Sequence, residues 1–296
     1  MTLSIRAIDA VSRLFFAGEV SGVDLTHPLS QADVAGISAG MDQFGVLVFH
    51  DQHLDDAQQL AFSRNFGALE QATGDIAQGS ERRLSMDVND ISNLDKNNNL
   101  LARDDRRRLF GLGNRLWHSD SSFKAVPAKY SLLSARVIPG SGGNTEFADM
   151  RGAWDELDDE MQALCEPLVC EHSQLFSRAT LGFSDFTDDE RQRFAPVQQR
   201  LVRRHPVTGR KSLFLASHAG AIVGWPVPEA RAFLRELMEH ATQRKYVYAH
   251  MWRQWDLVMW DNRVTMHRAR PYDHTQVRDM HRTTVACEQS TIEQAA

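Results

Sequence analysis

The sequence predicts a mainly β protein with helical additions, of the α+β class, built as an antiparallel sandwich or barrel. Short apolar runs rich in β-branched residues recur along the chain, turn residues bound them, and strands and helices show no regular alternation. A doubly wound parallel sheet would require that alternation. No internal repeat or low-complexity linker divides the 296 residues, so residues 1–296 are predicted to form one domain.

The first elements are a helix, a strand and a second helix. Ser30 is placed to cap the first helix, because apolar residues at helical spacing follow it. Residues 44–49, with the sequence FGVLVF, are apolar and predict a buried strand. Asp55, with Gln58 three residues later, predicts a capping box at the start of the second helix.

The rest of the chain contains most of the predicted strands. They are expected at 130–138, 144–148, 245–252, 256–260 and 282–287. Asp149 is placed to cap a short helix, and residues 228–241 predict a long one because their apolar residues recur at steps of three and four. Segments 69–112 and 171–199 are polar and irregular, which is typical of lids over a functional site.

Composition excludes several classes of protein. Hydrophobic residues make up 42% and charged residues 24%, as in ordinary globular proteins. The net charge of −6 argues against a nucleic-acid partner, and no apolar run is long enough to suggest a membrane partner. The amino terminus is too charged for a secretory signal, and three cysteines form no metal-type or disulfide pattern. A cytoplasmic protein with reduced thiols is expected.

One short motif carries a chemical signal. In WHSDSSF, at 117–123, His118 and Asp120 are two residues apart and would share one face of a strand. Non-haem Fe(II) oxygenases use two histidines and one carboxylate on one side of the metal. His267, just beyond the strand predicted at 256–260, is the best candidate for the third ligand.

Two arginines follow that histidine. Arg278 and Arg282 are four residues apart, so they can share one face of a helix or lie along a curved strand. Guanidinium groups bind carboxylates in bidentate fashion, which would suit a dicarboxylate cosubstrate and an anionic substrate. A solvated basic face, paired with Asp273 and Asp279, remains the alternative.

Longer stretches resemble one enzyme family along nearly the whole chain. They include AFSRNFG at 61–67, LWHSDSSF at 116–123, SGGNTEF at 141–147 and DLVMWDNR at 256–263. These stretches resemble the taurine and 2,4-dichlorophenoxyacetate dioxygenases (TauD/TfdA family), and most of all the branch that acts on 2,4-dichlorophenoxyacetate. The resemblance implies a double-stranded β-helix (jelly roll) and the use of Fe(II), 2-oxoglutarate and O2, with ascorbate helpful in vitro.

The resemblance also implies roles for eight residues. The iron ligands and catalytic centre would be His118, Asp120 and His267. The residues that hold 2-oxoglutarate would be Thr145 and Arg278. The residues that face the substrate would be Arg282, His218 and Trp260, although Trp260 also suits the core of its strand.

The chain departs from the family where the substrate is expected. Residues 71–78 contain no lysine, and Ala221 stands where a family histidine is expected. These positions are predicted to line the aryl end of the substrate. The iron and cosubstrate residues are intact, so the substrate is the less determined part.

The expected activity is hydroxylation of a small anion, above all an aryloxyalkanoate such as 2,4-dichlorophenoxyacetate. Ether cleavage would then give a phenol and an oxoacid, with succinate and CO2 from the cosubstrate. Alternatives are the same mechanism on a sulfonate, sulfate ester or other carboxylate, a zinc hydrolase, and a non-catalytic jelly-roll binding protein. A homo-oligomer is expected.

Overall fold

The computed structural model describes residues 2–8, 16–73, 76 and 82–294. Its strands, numbered in chain order, are β1 (Ser4–Ala7), β2 (Ala17–Ser21), β3 (Val46–Phe49), β4 (Asn89–Asp90), β5 (Ala128–Val137), β6 (Thr145–Asp149), β7 (Val169–His172), β8 (Val197–Arg200), β9 (Val202–Arg204), β10 (Lys211–Leu213), β11 (Ala219–Ile222), β12 (Val247–His250), β13 (Leu257–Asp261), β14 (Thr265–Ala269) and β15 (Asp279–Ala286). Its α-helices are α1 (Gln31–Phe44), α2 (Asp56–Arg64), α3 (Arg106–Gly111), α4 (Met150–Asp155), α5 (Asp159–Cys165), α6 (Gln174–Ala179), α7 (Asp188–Arg193) and α8 (Val227–Ala241).

Two sheets form the sandwich. The larger has seven strands in the order β1-β2-β3-β13-β5-β15-β4, and the smaller has the order β12-β6-β14. Neighbouring strands are antiparallel except β2 and β3, which are parallel. Two further small sheets, β11-β7-β8 and β10-β9, extend the structure. The predicted antiparallel architecture with helical additions is confirmed.

The core between the two sheets is built from alternate residues of the strands. Phe147 of β6 packs with Val258 and Trp260 of β13 and with Met280 of β15, and all four are at most 1% exposed. Burying a side chain of this size stabilises a fold by about 1.5–3 kcal/mol. Helices α1 and α2 cover the opposite face of the large sheet, whereas α4 and α8 pack on the small sheets.

The helix starts follow from local hydrogen bonds. The Ser30 hydroxyl accepts from the backbone N–H of Asp33 at 3.1 Å, and Asp55 forms the predicted capping box with Gln58. At the other end of α1, Gly45 adopts φ +81°, the left-handed conformation that glycine tolerates best. The predicted caps Ser30 and Asp55 are confirmed. They could be predicted because each depends only on residues close to it in the sequence.

Two local predictions need correction, and one strand was missed. The strand expected at 245–252 begins as a 3-10 turn, so that β12 spans only Val247–His250. Strand β14 was not predicted, because its sequence TMHRA has no apolar alternation; its pairing with β6 makes it a strand. Segment 171–199 is not irregular, since it contains α6 and α7.

None of the helices in the described part of the chain is long and apolar enough to cross a membrane. Cys165, Cys170 and Cys287 are free thiols.

Candidate active site

A cavity of about 230 Å³ opens beside strand β15. The two segments 69–112 and 171–199 both contribute to its wall. Five of the predicted site residues line it, namely His118, Asp120, His218, Arg278 and Arg282. The fold therefore brings together residues that are up to 164 positions apart, 118 to 282.

A single antiparallel bridge places the two histidines of the predicted metal trio side by side. The backbone N–H of His118 donates to the His267 carbonyl at 3.0 Å, and the reverse bond measures 2.8 Å. His267 lies on β14, whereas Asp120 lies in the turn that follows His118. The expected strand through His118 and Asp120 is thus reduced to this one bridge, and the turn carries the carboxylate to the histidines.

The trio has the geometry of a metal site. One ligand atom from each of His118, Asp120 and His267 lies within 4.8 Å of the others, and all three residues are buried. Nε2 of His118 and Nε2 of His267 each lie 3.7 Å from an Asp120 oxygen. Ligands about 2.1 Å from one ion lie roughly 3–4 Å apart, so the trio fits a common ion.

Hydrogen bonding prepares the trio for that ion. Nδ1 of His118 lies 2.8 Å from the Leu116 carbonyl, which can only accept, so Nδ1 carries the proton and Nε2 has a free lone pair. Burial lowers the pKa of both His118 and His267, which keeps the imidazoles neutral. Neutral imidazole is the form that binds metal.

The carboxylate of Asp120 is held in its ionised form. Burial alone would raise its pKa, but the positive charge of Arg282, assisted by the hydrogen bond from Ser131, outweighs it, so the pKa lies well below its usual range. Nη1 of Arg282 donates to Oδ1 of Asp120 at 2.5 Å, and the Ser131 hydroxyl donates to Oδ2 at 2.7 Å.

Asn262 connects this carboxylate to the core. Its Oδ1 accepts from the backbone N–H of Asp120 and from Nε1 of Trp260, both at 3.0 Å. Its Nδ2 donates to the Ser131 hydroxyl at 2.9 Å. Asn262 and Ser131 were not predicted from the sequence. The only signal for Asn262 was its position inside the matching stretch DLVMWDNR, and Ser131 had none.

Trp260 takes the second of its two predicted places, the core of its strand, and not the wall of the cavity. Its ring is 1% exposed, lies tilted against the ring of His267 with centroids 4.7 Å apart, and is not among the residues that line the cavity. Every residue of β13 is buried, because both faces of this central strand are covered, so Trp260 lies in the core. Trp260 therefore supports a metal ligand from behind, and the substrate side of the cavity is formed by other residues.

Arg278 is a buried cation without an acidic partner among the residues described. It is 4% exposed, Nη1 donates to the Ile91 carbonyl at 3.1 Å, and its guanidinium lies 5.5 Å from the Tyr272 ring centroid. Burial lowers its pKa, and no carboxylate counteracts this. A guanidinium of this kind is suited to a carboxylate from a ligand.

Thr145 is buried at the start of β6 and does not belong to the cavity lining. Its hydroxyl accepts from Nε1 of Trp252 at 3.0 Å, so its own proton stays available for an acceptor. Trp252 was not predicted from the sequence. On the paired strand β14, residue 269 lies opposite Thr145 and lines the cavity.

His218 lines the cavity as predicted. Its ring lies 6.0 Å from the ring of His118 and 5.1 Å from that of Phe123, and burial places its pKa well below the usual value. An apolar part of the wall is formed by Ile76, Leu84, Phe110, Leu112 and Phe123.

The residues expected around the aryl end are only partly there. Gln71 and Ile76 line the cavity, whereas positions 74, 75, 77 and 78 lie outside the described residues. Ala221 does not line the cavity, because β11 pairs it with Glu171 in a separate sheet.

The sandwich and its two-histidine, one-carboxylate centre define a mononuclear non-haem iron oxygenase of the jelly-roll class. The family model described as "Taurine catabolism dioxygenase TauD, TfdA family" matches residues 8–284. The chain belongs to this family. The predicted family and the predicted jelly roll are both confirmed.

Several relatives are similar over most of their length. The alpha-ketoglutarate-dependent 2,4-dichlorophenoxyacetate dioxygenase of Cupriavidus pinatubonensis is 46% identical over 91% of this chain and 94% of its own. An (S)-phenoxypropionate/alpha-ketoglutarate-dioxygenase of Sphingobium herbicidovorans is 38% identical over 92% of each chain. The crystal structure of AAD-2 in complex with Mn(II) and N-oxalylglycine is 55% identical, with a TM-score of 0.94, over 98% of this chain and 100% of its own.

Proposed function

We propose that this chain is an Fe(II)- and 2-oxoglutarate-dependent dioxygenase that acts on aryloxyalkanoates such as 2,4-dichlorophenoxyacetate. The observation that carries the proposal is the buried trio His118, Asp120 and His267. Two of its members, His118 and Asp120, line the same cavity as Arg278 and Arg282. The relatives that act on aryloxy acids support the choice of substrate class.

Each residue has a separate task in this proposal. His118, Asp120 and His267 hold the iron, and Arg278 and Thr145 bind the distal carboxylate of 2-oxoglutarate. With both bound, the iron and 2-oxoglutarate would supply the oxidising chemistry, in which O2 is consumed, 2-oxoglutarate becomes succinate and CO2, and a substrate C–H bond is hydroxylated.

The protein's own contribution is to orient the substrate and exclude water. Arg282 binds the acidic group, and His218 and the apolar wall around Phe110 and Phe123 enclose the aryl ring. This places the carbon between the carboxylate and the ether oxygen nearest the trio. Once that carbon is hydroxylated it is a hemiacetal, which collapses to a phenol and an oxoacid.

The test is a product assay on the purified chain with Fe(II), ascorbate and 2-oxoglutarate. We expect O2 uptake that depends on 2-oxoglutarate, and release of a phenol from aryloxyacetates. Uptake without phenol would point instead to another small anion, such as a sulfonate, a sulfate ester or a different carboxylate. The absence of 2-oxoglutarate-dependent uptake would overturn the proposal in favour of a binding protein or a zinc hydrolase.

We also propose that residues 1–296 form one catalytic domain and act as a homo-oligomer in the cytoplasm, without nucleic-acid or membrane partners. The net charge of −6 and the three free thiols support this setting. Light scattering coupled to gel filtration would measure the oligomeric state.

A further inference from the structure

A third arginine, Arg178, reaches the same cavity from helix α6. Its side chain is 4% exposed, and among the described residues no acidic group pairs with it. Nη1 donates to the Ser177 hydroxyl at 3.2 Å, and Nε is buried without any partner. A buried guanidinium in this state is costly unless a ligand supplies the anion.

The surroundings of Arg178 form a built site. The guanidinium carbon lies 4.5 Å from the ring centroid of Phe110, so the planar group rests on an aromatic face. A methyl group on Gly113 would come within 2.1 Å of that carbon, so only glycine leaves room for the guanidinium. The positions of Phe110 and Gly113 thus hold the charged group at the cavity wall.

Arg178 is connected to the metal trio by short contacts. The Ser177 hydroxyl that it bonds also lies 2.8 Å from Nδ1 of His218. The His218 ring in turn lies 6.0 Å from the ring of His118. Two residues, Ser177 and His218, therefore connect Arg178 to a proposed iron ligand, on the side of the cavity that α6 forms.

Arg282 alone offers few donors to a substrate. Its Nη1 is bonded to Asp120, and its Nε is buried without a partner. A carboxylate has about four acceptor sites. A second guanidinium in the same cavity, that of Arg178, would fill the acceptor sites that Arg282 leaves open.

We propose that Arg178 is a substrate-binding residue, whose guanidinium receives the carboxylate of the aryloxy acid together with Arg282. This proposal rests on the proposed function and deepens it. It makes Gly113 a positioning residue, because this glycine admits the guanidinium without touching the substrate.

The test measures equilibrium binding, so that it does not depend on turnover. The full chain is loaded with Mn(II) and 2-oxoglutarate and titrated with 2,4-dichlorophenoxyacetate and with its neutral amide, by calorimetry. In Arg178→Met, we expect the dissociation constant of the acid to rise about 10- to 100-fold, as for loss of a charge-assisted hydrogen bond. The constants of the amide and of 2-oxoglutarate should stay within about twofold.

Gly113→Ala provides a second variant that keeps the charge but displaces it. We expect the same loss for the acid, whereas Gly140→Ala, which adds a methyl group at an exposed position outside the cavity lining, should bind as the wild type does. Arg178→Lys should recover part of the affinity, because an ammonium lacks the planar fork. Arg191→Met, at an exposed position on α7, is the matched control for loss of an arginine.

Wild-type affinity for the acid in Arg178→Met would overturn the proposal, as would an equal loss for acid and amide. These results remain distinct from a failure of the proposed function. That failure would appear as absent 2-oxoglutarate-dependent O2 uptake in the wild type, whatever Arg178 does.

Discussion

Removal of Arg278 separates ligand binding from folding more sharply than any other change in this site. In Arg278→Met, a cation that is 4% exposed and has no acidic partner among the described residues is replaced by an apolar chain of similar length. Without 2-oxoglutarate, the variant should unfold with a free energy equal to or above that of the wild type, because no buried carboxylate is left unpaired.

With 2-oxoglutarate bound, the wild type should instead have the higher free energy of unfolding. Loss of one member of a buried arginine–carboxylate pair costs about 3–5 kcal/mol. This cost corresponds to a dissociation constant for 2-oxoglutarate that is roughly 100- to several-thousand-fold higher. At a ligand concentration about 100 times the wild-type constant, the wild type gains about 2.7 kcal/mol, or roughly 4 °C in Tm for a chain of this length. The variant should gain almost nothing. Mn(II)-loaded protein, calorimetry and thermal unfolding measure both quantities.

Arg263 is the matched control for this experiment. It is also buried, at 7% exposure, but it is paired with Asp261 at 2.6 Å. Arg263→Met should lose about 3–5 kcal/mol of stability with or without 2-oxoglutarate, because it leaves the buried Asp261 carboxylate without its arginine and with only the His205 ring, 3.4 Å away, beside it. The reasoning is refuted if Arg278→Met binds 2-oxoglutarate within about threefold of the wild type, or if it loses as much stability as Arg263→Met.

Three further changes address the metal, the substrate and pH. Asp120→Ala should lower the affinity for Mn(II) or Fe(II) by orders of magnitude, because it removes a ligand and leaves Arg282 unpaired. Metal titration followed by electron paramagnetic resonance measures this affinity, and an unchanged affinity would contradict the assignment of Asp120 as a metal ligand. Arg282→Ala should weaken binding of the aryloxy acid far more than that of 2-oxoglutarate, with partial recovery in Arg282→Lys; equal binding of acid and neutral ether would count against it. Burial lowers the pKa of His281, but the carboxylates of Asp279 and Asp56 outweigh burial, so the pKa is raised overall. The ion pairs of His281 therefore stabilise the fold fully below the unfolded pKa of about 6.5, and this stabilisation is lost as the pH rises through the folded pKa. His281→Gln should therefore cost about 1 kcal/mol at pH 6 and much less at pH 9 in urea unfolding, and a pH-independent cost would disprove the ion-pair account.

Local sequence by itself determined the helix caps at Ser30 and Asp55 and six of the fifteen described strands, namely β3, β5, β6, β12, β13 and β15. Ser30 and Asp55 cap their helices because the groups that they bond lie three residues away, within reach of any conformation that starts a helix. The apolar run of β3 is buried for the same kind of reason, since its composition leaves no polar face. These elements needed no information about the rest of the chain.

Motif spacing also brought the sequence close to the metal centre. His118, Asp120 and His267 were identified as one site, and the structure places their ligand atoms within 4.8 Å of one another. The choice between a helix and a curved strand for Arg278 and Arg282 was open, and the structure decided it, because β15 pairs with β5 with a register shift near Asp279.

Only the tertiary structure could show which charges are balanced and which are not. Arg282 faces Asp120, whereas Arg278 and Arg178 are buried without an acidic partner among the described residues, yet all three look alike in the sequence. Trp260 turned into the core and Arg178 turned into the cavity for the same reason: a side chain's direction depends on the sheet or helix packed against its element. The sequence therefore determined the type of chemistry, and long-range packing determined which residues face the substrate.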